Sequence, residues 1–110
     1  MSERFNGWSN RETYLVHLWI SNDEPSMKYW EDNAVEAWDE AAADRFFSRK
    51  ENAARHLAER LKDVIMDGAG ELGLGLVYGD LLRSALEEVN WGEVAKALLD
   101  GAADILRNRE

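Results

Sequence analysis

The chain has 110 residues, 45% of them apolar, and a single proline; at that length folding buries roughly two-thirds of the surface the unfolded chain exposes, so one domain over 1–110 is expected without staples. The absence of cysteine excludes disulfides and cysteine-ligated metals. Twenty-two acids against 13 Lys and Arg leave a formal charge of -9 and a pI near 4.7, which disfavours direct contact with nucleic acid and favours a basic protein partner.

The opening segment MSERFNGWSNRE lacks a basic region followed by an apolar run, and no stretch holds about 18 uninterrupted apolar residues, so a soluble, cytoplasmic protein without a membrane partner is expected. Asn6-Gly7 reads as a turn, and Ser9 or Asn10 as the N-cap of a first helix with Glu12 or Thr13 in its first turn. Tyr14, Leu15, Leu18 and Trp19 follow a 3, 4 spacing and predict its buried face. Phe5, Trp8, Tyr14 and Trp19 are read as anchors joining this helix to the Trp30 and Trp38 face.

Pro25 suits the first turn of a second helix, where its missing N–H costs nothing. That helix is expected to run to about Phe47. Met27, Trp30, Ala34, Ala37, Trp38 and Ala41 share one arc, and Asp32, Glu36, Asp39 and Glu40 another. Ser48 and Glu51 form an S-x-x-E capping box opening a third helix, with Ala54, Leu57, Ala58, Leu61, Val64 and Ile65 at core spacing and an end near Asp67-Gly68. Five glycines between Gly68 and Gly79 predict a long connection between helices three and four. A fourth helix is expected over 80–89. Asn90 and Glu93 then cap a fifth, which buries Val94, Leu98, Leu99, Ala102, Ile105 and Leu106. The fold class is therefore all-α, a small orthogonal bundle of about five helices.

The sequence offers little catalytic chemistry. Gly68, Gly70 and Gly73 match G-x-G-x-x-G, but a helix precedes the motif and Glu71 would set negative charge beside a phosphate, so no dinucleotide site is expected. His17 and His56 stand in no metal-binding spacing, and the serines lie at caps or in helices without a nucleophile elbow. The expectation is no enzyme, no cofactor and no metal.

The remaining signal is charge. Between residues 21 and 44 lie eight acids, Asp23, Glu24, Glu31, Asp32, Glu36, Asp39, Glu40 and Asp44, and one base, Lys28. On a continuous helix Asp32 to Asp44 would span about 18 Å, with carboxylates four apart separated by roughly 6 Å of rise. That separation is comparable with the distance between successive phosphates of a DNA strand, so the stripe could occupy a groove built for phosphates. These eight acids are the expected partner-binding residues.

The run NGWSNRETYLVHLWISND (6–23) resembles the signature N-G-W-x-N-x-E-T-W-x-V-x-L-W-x-x-N-D of a family of small, largely uncharacterised phage and plasmid domains, with Tyr14 in place of the second tryptophan. The segment from Asp80 to Leu99 resembles a second block, D-L-L-x-x-A-L-x-x-V-N-W-x-E-[IV]-A-x-x-L-L. The resemblance implies genomic company with antirestriction proteins, which are acidic DNA mimics. It joins the stripe in pointing to an anti-defence inhibitor of anti-CRISPR or antirestriction type, whose partner is the basic surface of a host defence complex. The competing expectation is a helical interaction domain or homodimer, docking through aromatics such as Trp8 or Trp91.

Overall fold

Three helices whose inner faces are built from small and branched residues make the core, and the rest of the chain is arranged around them. In a computed structural model that describes residues 6–108, the elements are α1 (Arg11–Asn22), α2 (Glu24–Glu40), α3 (Arg49–Glu71), α4 (Leu76–Glu87), α5 (Trp91–Gly101) and α6 (Ala103–Asn108). No strand occurs among the described residues, and the fold is all-α. Phe5, read above as an anchor, lies outside the described residues.

Ala34 and Ala37 of α2, Leu57 and Leu61 of α3, and Val94, Ala95 and Leu98 of α5 are fully buried against one another. Alanines on α2 and α3 let the helices approach closely, and Trp30 of α2 and Ile20 of α1 belong to the same buried cluster. The expected inner face of α2 is present: Trp30, Ala34, Ala37 and Ala41 are buried, and Met27 and Trp38 are partly so.

Local signals set most helix starts. The Asn10 side chain accepts from the Thr13 N–H at 2.9 Å, Asp23 accepts from the Ser26 N–H at 3.0 Å, and Asn90 accepts from the Glu93 N–H at 3.1 Å. Ser48 and Glu51 complete the capping box in both directions. Each such cap satisfies an N–H that the helix itself leaves open, worth about 1 kcal/mol.

Four expectations are corrected. First, α2 stops at Glu40 rather than near Phe47. The cause is tertiary: the Arg49 guanidinium donates to the Trp38 carbonyl at 2.9 and 3.1 Å, and Asn52 donates to the Ala42 carbonyl at 2.8 Å, so carbonyls at and beyond the helix end find partners outside it. Second, α3 continues through Gly68 and Gly70 to Glu71, and α4 starts at Leu76, so the connection shrinks to residues 72–75. What ends α3 is Gly73, at φ +63, a left-handed residue one position beyond the cap Leu72. Third, the last helix divides at Ala102 next to Gly101, which makes six helices among the described residues and leaves Ile105 40% exposed. Fourth, α1 is rolled about its axis. Its buried residues are Thr13 and Ile20; of the expected face Tyr14 and Leu18 are half-buried, as are Val16 and His17, whereas Leu15 is exposed and Trp19 is 71% exposed.

Candidate functional site

The acids of α2 form the candidate site. Asp32, Glu36, Asp39 and Glu40 are all exposed, and at 100° per residue they occupy about 100° of arc and about 12 Å of helix rise. Their inward neighbours Ala34, Ala37 and Ala41 fix that face outward by being buried. Glu31 is half-buried at the edge, and Glu24 is exposed in the first turn.

The other two predicted members have structural tasks. Asp23 is the N-cap of α2, and hydrogen bonds from the Ser26 hydroxyl and N–H hold its carboxyl below the usual range. Asp44 lies beyond the helix, where it accepts from the Phe46 and Phe47 N–H groups at 2.9 and 2.8 Å, and those bonds lower its pKa. The 18 Å stripe ending at Asp44 is therefore corrected to the shorter row ending at Glu40, because the chain leaves the helix after Glu40.

Cations flank the row. Lys28 pairs with Asp32 at 3.0 Å along α2, and that hydrogen bond raises the lysine pKa. From α3, Arg60 reaches Glu40 at 2.7 Å and Glu36 at 3.5 Å, and also donates to the Asn33 side chain at 3.4 Å. Its side chain is only 28% exposed, whereas the carboxylates it braces are 61% and 50% exposed. No local pattern points to this brace, since Arg60 is 20 or more residues away in the chain. At the end of α2, the Arg49 guanidinium also lies over the Trp38 ring at 4.4 Å, and Arg55 lies over Phe47 at 4.7 Å.

A second constellation was missed altogether. The Thr13 hydroxyl, fully buried, donates to the Asn10 side-chain oxygen at 2.6 Å and accepts from the Asn90 N–H at 2.8 Å. The Asn10 amide donates to the Glu88 carbonyl at 2.7 Å, and the Ser9 hydroxyl and N–H donate to the Glu93 carboxylate at 2.6 and 3.1 Å. Trp8 packs on His17 with ring centroids 4.7 Å apart, and burial lowers the pKa of that imidazole, favouring its neutral form. The polar residues of the NGWSNRET run thus clasp those of the VNWGE run, some 80 positions later. The visible signals were the paired caps at Asn10 and Asn90.

A cleft of about 290 Å³ lies between Trp38, Leu99, Ala103 and Leu106, with the Lys50–Asp100 ion pair among its walls. Among the described residues, no three His, Cys, Asp or Glu are grouped to hold a metal ion, and no helix is long and apolar enough to cross a membrane.

These features define a small all-α protein, clasped at the N-termini of two helices and acidic along a third. The chain belongs to a family of unknown function, DUF7249, whose family model matches residues 1–108. No match is found among curated proteins or among solved structures.

Proposed function

We propose that this protein is an anti-defence inhibitor of mobile-element origin, of anti-CRISPR or antirestriction type, which acts by binding and without turnover. The α2 row stands in for DNA phosphates, engages Arg and Lys in the DNA channel of a host defence complex and excludes DNA. The observation that carries this reading is the exposure of Asp32, Glu36, Asp39 and Glu40 on one face of a helix whose other face is core.

The ion pairs around the row are compatible with it. Lys28 and Asp32 are 73% and 62% exposed, and pairs so exposed contribute little and exchange readily, so a partner's arginine can replace the internal cation. Arg60 holds the Glu36 and Glu40 carboxylates in place from behind while their outer surface stays open. Such preorganisation lowers the entropy lost on binding. The resemblance of the two sequence blocks to phage and plasmid domains gives the same direction.

The test is capture from host-cell lysate at about 50 mM salt, followed by elution in steps of rising salt. Recovery of a nuclease, restriction or CRISPR complex that elutes as salt rises supports mimicry. Capture that resists salt favours the second reading, a helical interaction domain docking through an aromatic. For that reading the relevant side chain is Trp19, 71% exposed, since Trp8 and Trp91 are half-buried.

A further inference from the structure

The helix α4 is weakly anchored. Gly75 at its start supplies no capping side chain, Gly79 lies within it, and Leu86 is its one buried residue. Between α4 and the end of α3 a cleft of about 200 Å³ stands open, walled by Met66, Ala69, Leu74, Leu82 and Leu86. On the same arm Leu72, Leu76, Val77, Tyr78 and Leu81 are 65%, 89%, 68%, 71% and 63% exposed. Apolar surface gathered in this way marks a site of interaction.

The charges of the arm say what fits it. Residues 62–88 hold six acids, Asp63, Asp67, Glu71, Asp80, Glu87 and Glu88, against Lys62 and Arg83, a net of -4. All six acids are exposed, and among the described residues Asp80 alone of them pairs with a cation, Arg83 at 3.9 Å. At 100° per residue Asp63, Asp67 and Glu71 form a row along α3, next to the side that bears Met66 and Gly70, and Asp80 and Glu87 share one side of α4. The apolar cleft therefore has acidic borders on both helices.

We infer that the α3–α4 arm is a docking groove for a basic amphipathic helix of a partner protein. The helix lays its apolar side chains into the cleft and sets its Lys and Arg against the acidic borders. Charge selects this occupant: the borders repel an anionic membrane and a second copy of this acidic chain, and an uncharged apolar ligand leaves the carboxylates without a counterpart. Shape agrees, because α3 and α4 form a hairpin joined by residues 72–75, and a third helix laid along their groove completes a bundle. The inference does not rest on the reading of the α2 row, and its test uses no captured complex.

The probes are dye-labelled peptides of about 18 residues: a Leu/Lys amphipathic helix, the same helix with Glu for Lys, and a scrambled Leu/Lys sequence of equal composition. Fluorescence anisotropy with the full chain should give the Leu/Lys helix a Kd of about 10 µM at about 50 mM salt, weakening about fivefold by about 300 mM. The other two peptides should bind at least about tenfold more weakly. Leu74→Ser, at an exposed wall of the cleft, should cost about fivefold, as should Asp67→Asn with Glu71→Gln, with circular dichroism unchanged. Asp32→Asn with Asp39→Asn removes the same charge from α2 and should change binding by less than about twofold. Hydrogen exchange across α4 should slow when the Leu/Lys helix is bound. Equal binding of the Glu and Lys helices, a loss from the α2 pair in place of the arm pair, or no saturable binding up to about 1 mM overturns the inference. So does a dimer, or flotation with phosphatidylcholine vesicles, found in place of peptide binding.

Discussion

The clasp and the α2 row are both polar, yet they use polarity in opposite ways. At the clasp a buried hydroxyl, two asparagines and a half-buried glutamate are joined by hydrogen bonds of 2.6 to 3.1 Å across two helix starts. On α2 the acids stand in water, steadied by the exposed Lys28 and, from behind, by the mostly buried Arg60. Removing a partner inside the clasp strands a desolvated group, whereas removing an acid from the row only alters a solvated surface. Polar side chains therefore serve architecture in one place and leave binding capacity in the other.

The sharpest way to break this contrast is Thr13→Val. It keeps the shape of the side chain but leaves the Asn90 N–H without its acceptor, and chemical denaturation should show a loss of about 1–3 kcal/mol. Asn10→Ala removes the α1 cap and should cost about 1 kcal/mol. The double variant should lose less than the sum, because the two side chains share a hydrogen bond, and a double-mutant cycle measures the difference.

On the row, Asp32→Asn with Asp39→Asn should shift stability by no more than about 0.5 kcal/mol in the same denaturation assay. Acid sharpens the contrast further. Burial lowers the His17 pKa, so as pH falls below the ordinary value near 6.5 the unfolded chain takes up the proton first and stability declines slightly. Asp23 and Glu51 are lowered by their capping hydrogen bonds and Asp44 by the Phe46 and Phe47 N–H groups of its turn, so their contributions are complete above the ordinary carboxyl range and are lost as pH falls through their depressed values. Thermal melts should therefore show a shallow decline from about pH 6.5 and a steeper one below about pH 4.5.

Much of the architecture was legible because its causes are local. The Ser48–Glu51 box, the Asn10 and Asn90 caps and the alanine-lined face of α2 each follow from residues a few positions apart. What failed depended on distant partners. Trp19 was expected inside because hydrophobicity outweighs hydroxyls in any periodicity reading, yet Thr13 takes the buried position because Asn90 supplies its hydrogen bond from far along the chain. The alanines after Glu40 favour more helix, but Arg49, Asn52 and the Asp44 turn draw the chain away. Gly68 and Gly70 looked like a loop and are helical, because helix ends are set by a workable exit and Gly73 provides it.

For the candidate site, the identity and outward direction of the α2 acids were readable, while the separate roles of Asp23 and Asp44 and the Arg60 brace were not. The central claim is that the α2 row binds its partner by charge. The most direct measurement is the affinity of the captured complex for the wild-type chain and for the variant carrying Asp32→Lys, Glu36→Lys, Asp39→Lys and Glu40→Lys, across a salt series, with thermal melts confirming that both are folded. The account predicts wild-type affinity that falls steeply with salt, and a loss of at least about a hundredfold in the variant at low salt. Equal affinities with little dependence on salt would contradict it.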